Sequence, residues 1–168
     1  MTDVRAVDVF PLIEGNGCVD FVLNVPGNGR FMGDALARLT ESHIGWGGLG
    51  DAMRALRDCD VLGDYEEREL KFVMRGLRQH QRVTKLEVVD DHRLRVSRQG
   101  VPDLVIFIGS MYQPTAESVR EASDRYGMFD IFAATNPNSD PTTEAIQAAT
   151  SLGVRLLKWG PTLATLNE

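Results

Sequence analysis

Three groups of residues in this 168-residue chain have types and spacings that could do chemistry. Glu87, Asp90 and Asp91 crowd one short stretch, with Lys85 and His92 beside them and Asp103 further along. Carboxylates gathered in this way can hold a hard cation through their oxygens. Beside a tight turn they more commonly serve as plain turn formers. The second group is basic: Arg68, Lys71, Arg75, Arg78 and Arg82 follow one another at steps of 3, 4, 3 and 4. On a helix they share one stripe, and like charges so placed repel. Such a stripe calls for an anionic partner, either a nucleic-acid backbone or the acidic surface of another protein subunit. Phe72 is its one interleaved aromatic residue, too little to indicate base stacking. The third group is "FIGSMYQPT", Phe107 to Thr115, a strand-to-helix turn with small residues at the strand's end. α/β proteins often bind ligands at that edge. Gly109, Ser110, Tyr112 and Gln113, with Thr135 from the next strand end, could line a pocket for a nucleotide or small molecule.

Other motifs carry less. His43, His80 and His92 are isolated from any second ligand at metal spacing, and Cys18 and Cys59 are too few and too far apart for a disulfide scaffold or zinc site. They read as reduced thiols. Gly27, Gly29 and Gly33 in "GNGRFMG" follow a strand and precede a helix, as a phosphate-cradling loop does. No βαβ unit with a following acid accompanies them, so a plain loop is expected. Trp46, inside "GWGGLG", reads as an exposed anchor in a glycine loop.

The charge is unevenly placed. Residues 68–98 hold nine of the eighteen Lys and Arg against four acids, +5 there and −11 elsewhere in a chain of net charge −6. That balance excludes a generic nucleic-acid coat and points to one local basic surface. Hydrophobic residues at 43% and charged residues at 25% place the chain among globular proteins. No apolar run is long enough to span a membrane and no secretory signal opens the chain, so a cytoplasmic location without membrane partners is expected.

These residues need elements to hold them. The N-terminal runs "VRAVDVFPLI" and "CVDFVLNV", joined at Asn16-Gly17, read as a β-hairpin. Helices follow over 31–42 and from Asp51, giving a hairpin and helical extension over 1–64. The periodicity of "YEERELKFVMRGLRQHQR" predicts a helix over 65–82, with Leu70, Val73, Met74 and Leu77 on its apolar face. Gly76 inside it suggests close packing. "TKLEVV" and "RLRVSR" form a half-solvated hairpin around "DDH", and "DLVIFIG" is apolar on both faces, a central strand. Two helix–strand units complete the order α, β, β, β, α, β, α, β. The expectation is one α/β domain over 1–168, with a mixed β-sheet flanked by helices as its 65–168 core.

Over residues 65–165 this order resembles the restriction-endonuclease-like superfamily, the PD-(D/E)XK nucleases, most closely the Mrr-type branch. A strand ending in threonine, "FAAT", and a helix leading to "GVRLLKW" carry the resemblance further. The resemblance implies an Asp at one strand end and a Glu or Gln, any residue, then Lys on the next. Its carboxylates would hold Mg²⁺ and its lysine would stabilise developing charge. By the same alignment Phe107 stands at the carboxylate position and Gly109 at the lysine position. Phe cannot ligate a metal and Gly cannot donate charge. The resemblance therefore implies a catalytically degenerate nuclease fold with no cofactor. It would act by binding nucleic acid or an acidic subunit in a DNA-handling or defence-related assembly, with oligomer formation left open. A nucleotide-sensing α/β module at Gly109–Gln113 and Thr135 is the alternative. An active Mg²⁺-dependent nuclease with relocated carboxylates at Glu87, Asp90, Asp91 and Asp103 is the second.

Overall fold

A computed structural model describes residues 2–15, 18–25 and 27–168. The chain forms two compact units, Met1–Arg68 and Glu69–Glu168.

The first unit corrects the expected hairpin. β1 (Thr2–Val4) leads into a helix, α1 (Ala6–Gly15), where a strand was expected. Asp8 accepts the Arg5 N–H at 2.8 Å and Asp34 accepts the Ala6 N–H at 3.2 Å, which satisfies donors left open at a helix start. Val9 is buried while α1 packs on α2 (Gly33–Glu41), so tertiary contact overrides the β-rich composition and Pro11. The predicted Asn16-Gly17 turn lies outside the described residues. β2 (Phe21–Leu23) and β3 (Gly29–Phe31) make no hairpin either: β1 pairs parallel with β3, and β2 pairs parallel with β4 (Gly45–Gly47).

The first half of the "GWGGLG" run is thus strand and its second half opens a helix, and Trp46 is no exposed anchor. It is buried with its ring centroid 5.5 Å from that of Phe31. α3 (Leu49–Asp58) starts two residues before Asp51, whose carboxylate accepts the Gly48 N–H at 3.0 Å. The other Asp51 oxygen takes the Tyr65 hydroxyl and the Arg54 guanidinium, each at 2.7 Å. Gly27, Gly29 and Gly33 surround β3. The Asn24 amide brackets Gly29 there, donating to its carbonyl at 2.8 Å and accepting its N–H at 3.2 Å.

The second unit follows the expected order. α4 (Arg68–Arg78) precedes β5 (Val83–Asp90), β6 (Arg93–Arg98) and β7 (Val101–Gly109), a meander of antiparallel pairs. α5 (Ala116–Tyr126) leads to β8 (Ile131–Ala134), and α6 (Thr143–Ser151) to β9 (Arg155–Lys158). α7 (Trp159–Ala164) closes the chain. The sheet order is β5-β6-β7-β8-β9, with only β6 running against the others. The fold is mixed α/β.

Local signals explain the crossovers. Thr115 caps α5 by accepting the Ser118 N–H while the Ser118 hydroxyl accepts the Thr115 N–H, and Gly127 ends the helix at φ 78°. One sheet face carries Phe107 and Phe132 under Val119, Ala122 and Tyr126 of α5 and Ala145 and Ala149 of α6. Strand alternation puts Leu94, Val96 and Ile106, all fully buried, on the other face. None of the described helices is long and apolar enough to cross a membrane.

α4 is shorter than its apolar period suggests, because the backbone turns at His80–Arg82 to enter β5. Leu70, Val73 and Leu77 are its buried face. Gly76 is the point of close approach: a Cβ there would lie 2.6 Å from Cζ2 of Trp159. Gly76→Ala gains about 1 kcal/mol of helix propensity but displaces the indole, and overpacking costs about 1–3 kcal/mol. Net destabilisation in urea unfolding is expected; a more stable variant would show that the indole yields without cost.

In the first unit, burial and the Asp51 hydrogen bond push the Tyr65 phenol up to about 12. The folded state therefore retains a proton that the unfolded chain releases near pH 10, so stability falls as pH rises from about 10 to about 12. Spectrophotometric titration of the native protein against Tyr65→Phe should assign one tyrosinate transition near the upper end. A difference centred near 10 would refute the coupling to Asp51.

Candidate functional site

The expected carboxylate and lysine positions lie in apolar surroundings. Phe107 is buried, with its ring centroid 4.9 Å from that of Phe132, 5.1 Å from Phe129 and 5.2 Å from Tyr126. At Gly109 a Cβ would fall 2.6 Å from Cζ of Phe132, so the glycine makes room for that ring. A charged side chain at either position would be taken out of water, and Arg93, across the ladder from Phe107, is already committed to Asp90 and the Met128 carbonyl.

The four candidate acids do not converge. Asp90 is fully buried at the end of β5, accepting the His92 N–H at 3.0 Å and two Arg93 guanidinium contacts at 2.9 Å. A third Arg93 nitrogen donates to the Met128 carbonyl at 3.0 Å. Burial pushes the Asp90 carboxyl up, against the pull of Arg93 and the His92 N–H. Asp91 meets His92 Nδ1 at 3.1 Å, and the His92 ring lies against Tyr126 and Phe107. Glu87 is exposed on β5 between Lys85 at 3.9 Å and Arg95 at 3.8 Å. Asp103, exposed on β7, accepts the Ser97 hydroxyl at 3.0 Å. Among the described residues no three His, Cys, Asp or Glu side chains are grouped to hold a metal.

The residues of the proposed pocket lie where two loops are joined through their backbones. Gly109 O accepts both the N–H of Thr135, at 3.0 Å, and its hydroxyl, at 3.2 Å. Asn136 donates to Ser110 O at 3.4 Å, Asp140 N–H to Tyr112 O at 3.1 Å, and Thr142 N–H to Pro114 O at 3.1 Å. Thr135 is buried by this seam, while Ser110, Tyr112 and Gln113 face solvent. Ser139, in the second loop, buries its Oγ with no hydrogen-bond partner among the described residues.

The basic series is divided by the structure. Arg68 pairs with Asp58 of α3 at 2.5 Å, so one member of the stripe meets an acid within the chain. Arg82 lies beyond the helix end, so it does not continue the α4 face. Lys71, Arg75 and Arg78 stay exposed on α4, and Arg75 and Arg78 have no ion pair among the described residues. Of the other cations between 68 and 98, half-buried Arg93 is paired with Asp90. Arg98 is buried, donating to Pro102 O at 2.7 and 3.1 Å and to Thr165 O at 3.1 Å. Of the +5 window, Arg75 and Arg78 on α4 and Arg82 just beyond it stay exposed, while Lys85 and Arg95 share Glu87. Trp159, at the end of "VRLLKW", sets its ring centroid 5.6 Å from that of half-exposed Phe72 on α4. The helical spacing of Phe72 and Gly76 marks where a distant ring must sit, but does not say which ring.

Compared with protein-family models, with curated proteins and with solved structures, the chain matches none of them.

Arg93→Ala leaves the buried Asp90 carboxyl without its cation and should cost about 3–5 kcal/mol in denaturant unfolding at neutral pH. With Asp90 freed from that pull, part of the loss should recover as acidification protonates it. An Asp90→Leu/Arg93→Met double variant should lose less than Arg93→Ala. Equal stability of Arg93→Ala and the native protein would show that water reaches Asp90.

Proposed function

We propose that this protein acts by binding nucleic acid through α4, as a nuclease-like core that does not cleave. The reading makes it a subunit of a DNA-handling assembly. The observation that carries it is the pair Arg75 and Arg78. Both are exposed on the side of α4 away from buried Leu70, Val73 and Leu77, and neither is neutralised among the described residues. Long, mobile cations left open to solvent favour a phosphate backbone, where each contact releases a condensed counterion.

Two further features support the reading. The element order and the mixed sheet with β6 reversed accord with the restriction-endonuclease-like resemblance. The aromatic packing at Phe107 and Gly109 favours binding over metal-assisted hydrolysis at that position. An isolated carboxylate introduced there would carry a desolvation penalty of several kcal/mol, on the order expected for an unpaired buried ion.

The test is gel retardation and cleavage of DNA and RNA with Mg²⁺ or Mn²⁺ over a salt series. Binding that weakens with salt and leaves the strands intact is expected. Arg75→Glu/Arg78→Glu should weaken binding at least about tenfold and flatten the log–log salt dependence by about 1.4–1.8 for two lost phosphate contacts. Its melting temperature should hardly move, because both side chains are exposed. Unchanged affinity in that variant removes α4 as the surface, and strand cleavage by the native protein removes the binding-only reading.

A further inference from the structure

We infer that the α4 face takes single-stranded rather than duplex nucleic acid, with Phe72 as the ring on which a base stacks. The inference rests on the nucleic-acid reading above and narrows it to one class of strand.

The observation behind it is a two-ring platform beside the basic face. Phe72 is 49% exposed although large and apolar, and it is the exposed aromatic residue of α4. Its ring is supported from within the fold by Trp159, at 5.6 Å between centroids and an interplanar angle of 50°. Gly76, one turn on from Phe72, lets the indole lie directly against the helix. Phe72 is therefore held in place by a partner that itself cannot move outward without losing its contact with α4. An exposed ring that is already ordered gives up little rotamer freedom on binding.

Helical spacing puts Arg75 three residues from Phe72, and Lys71 and Arg75 one turn apart, so cations and ring occupy adjoining positions on the helix. Lys71 to Arg78 spans about 10 Å at 1.5 Å per residue, a reach of only a few phosphates. A positive track with an adjoining exposed ring is how single strands are held without sequence preference: phosphates meet the cations and unstacked bases lie on the ring. A duplex would use the cations alone, since its bases are already stacked on each other, and would leave Phe72 against its backbone. An acidic protein surface would likewise leave the ring unused.

The experiment is fluorescence anisotropy of the full chain with a labelled oligothymidylate and with a duplex of equal length, each over a salt series. The single strand should bind more tightly. Phe72→Ala should weaken single-strand binding by about tenfold while leaving its salt dependence and the duplex affinity unchanged. Phe72→Leu keeps an apolar contact for Trp159 but has no aromatic face, so it should lose as much. Phe72→Trp should restore binding. Tighter duplex binding, or single-strand affinity unchanged in both Phe72→Ala and Phe72→Leu, overturns this inference and leaves the nucleic-acid reading standing. Absence of salt-sensitive binding to either form overturns that reading, and this inference with it.

Discussion

The second unit depends on the packing of Phe107 against Phe129, Phe132 and Tyr126. Aromatic pairs at these separations contribute about 0.5–1.5 kcal/mol each beyond the area they bury. Their geometric effect is larger. Phe107 lies on β7, Phe132 on β8 and Tyr126 at the end of α5, so one cluster joins the meander to the first crossover. The ring of Phe132 occupies the space over Gly109, which leaves no room for a side chain at the end of the central strand. The same contacts that seat α5 and α6 therefore make this edge of the sheet apolar. Asp130 secures the neighbouring end: its carboxylate accepts the Val105 N–H at 2.7 Å, and its backbone bonds reach both Val105 and Arg155.

Burial also decides which charges remain available. Arg93 and Arg98 count as cations in the sequence, yet both are committed inside the fold, one to a carboxylate and one to carbonyl oxygens. Arg95 and Lys85 flank Glu87 across the exposed face of the β5–β6 ladder. What is left is Arg82 beyond the helix end and α4 itself, where the apolar side faces inward and Arg75 and Arg78 face out.

The fold of the second unit was legible in the sequence to within a few residues at most element ends. Alternating β5 and β6, the apolar β7 and β8, and the Thr115 cap of α5 are signals that act over short stretches of chain. The first unit was not legible in the same way. Its β-rich opening becomes α1 because Val9 packs on α2 and Asp34 caps a helix that lies 28 residues earlier in the chain. The first half of the glycine-rich run becomes β4 because Phe21–Leu23 supplies a parallel ladder and Phe31 covers Trp46. The surroundings of Phe107 and Gly109 divide likewise: the apolar character of β7 is local to its sequence, whereas the rings of Phe129, Phe132 and Tyr126 arrive from other elements.

By itself the sequence determined where helices and strands of the second unit form, since periodicity, caps and turn residues act on neighbours a few positions away. It also determined that Arg75 and Arg78 share a helix face, because 3.6-residue geometry requires it. Only the tertiary structure decided that Arg68 meets Asp58, that Arg93 pairs with buried Asp90, and that Trp159 supports Phe72. Burial, desolvation and ring contact are set by neighbours in space. For Phe72 that neighbour stands 87 positions along the chain, beyond the reach of any local pattern.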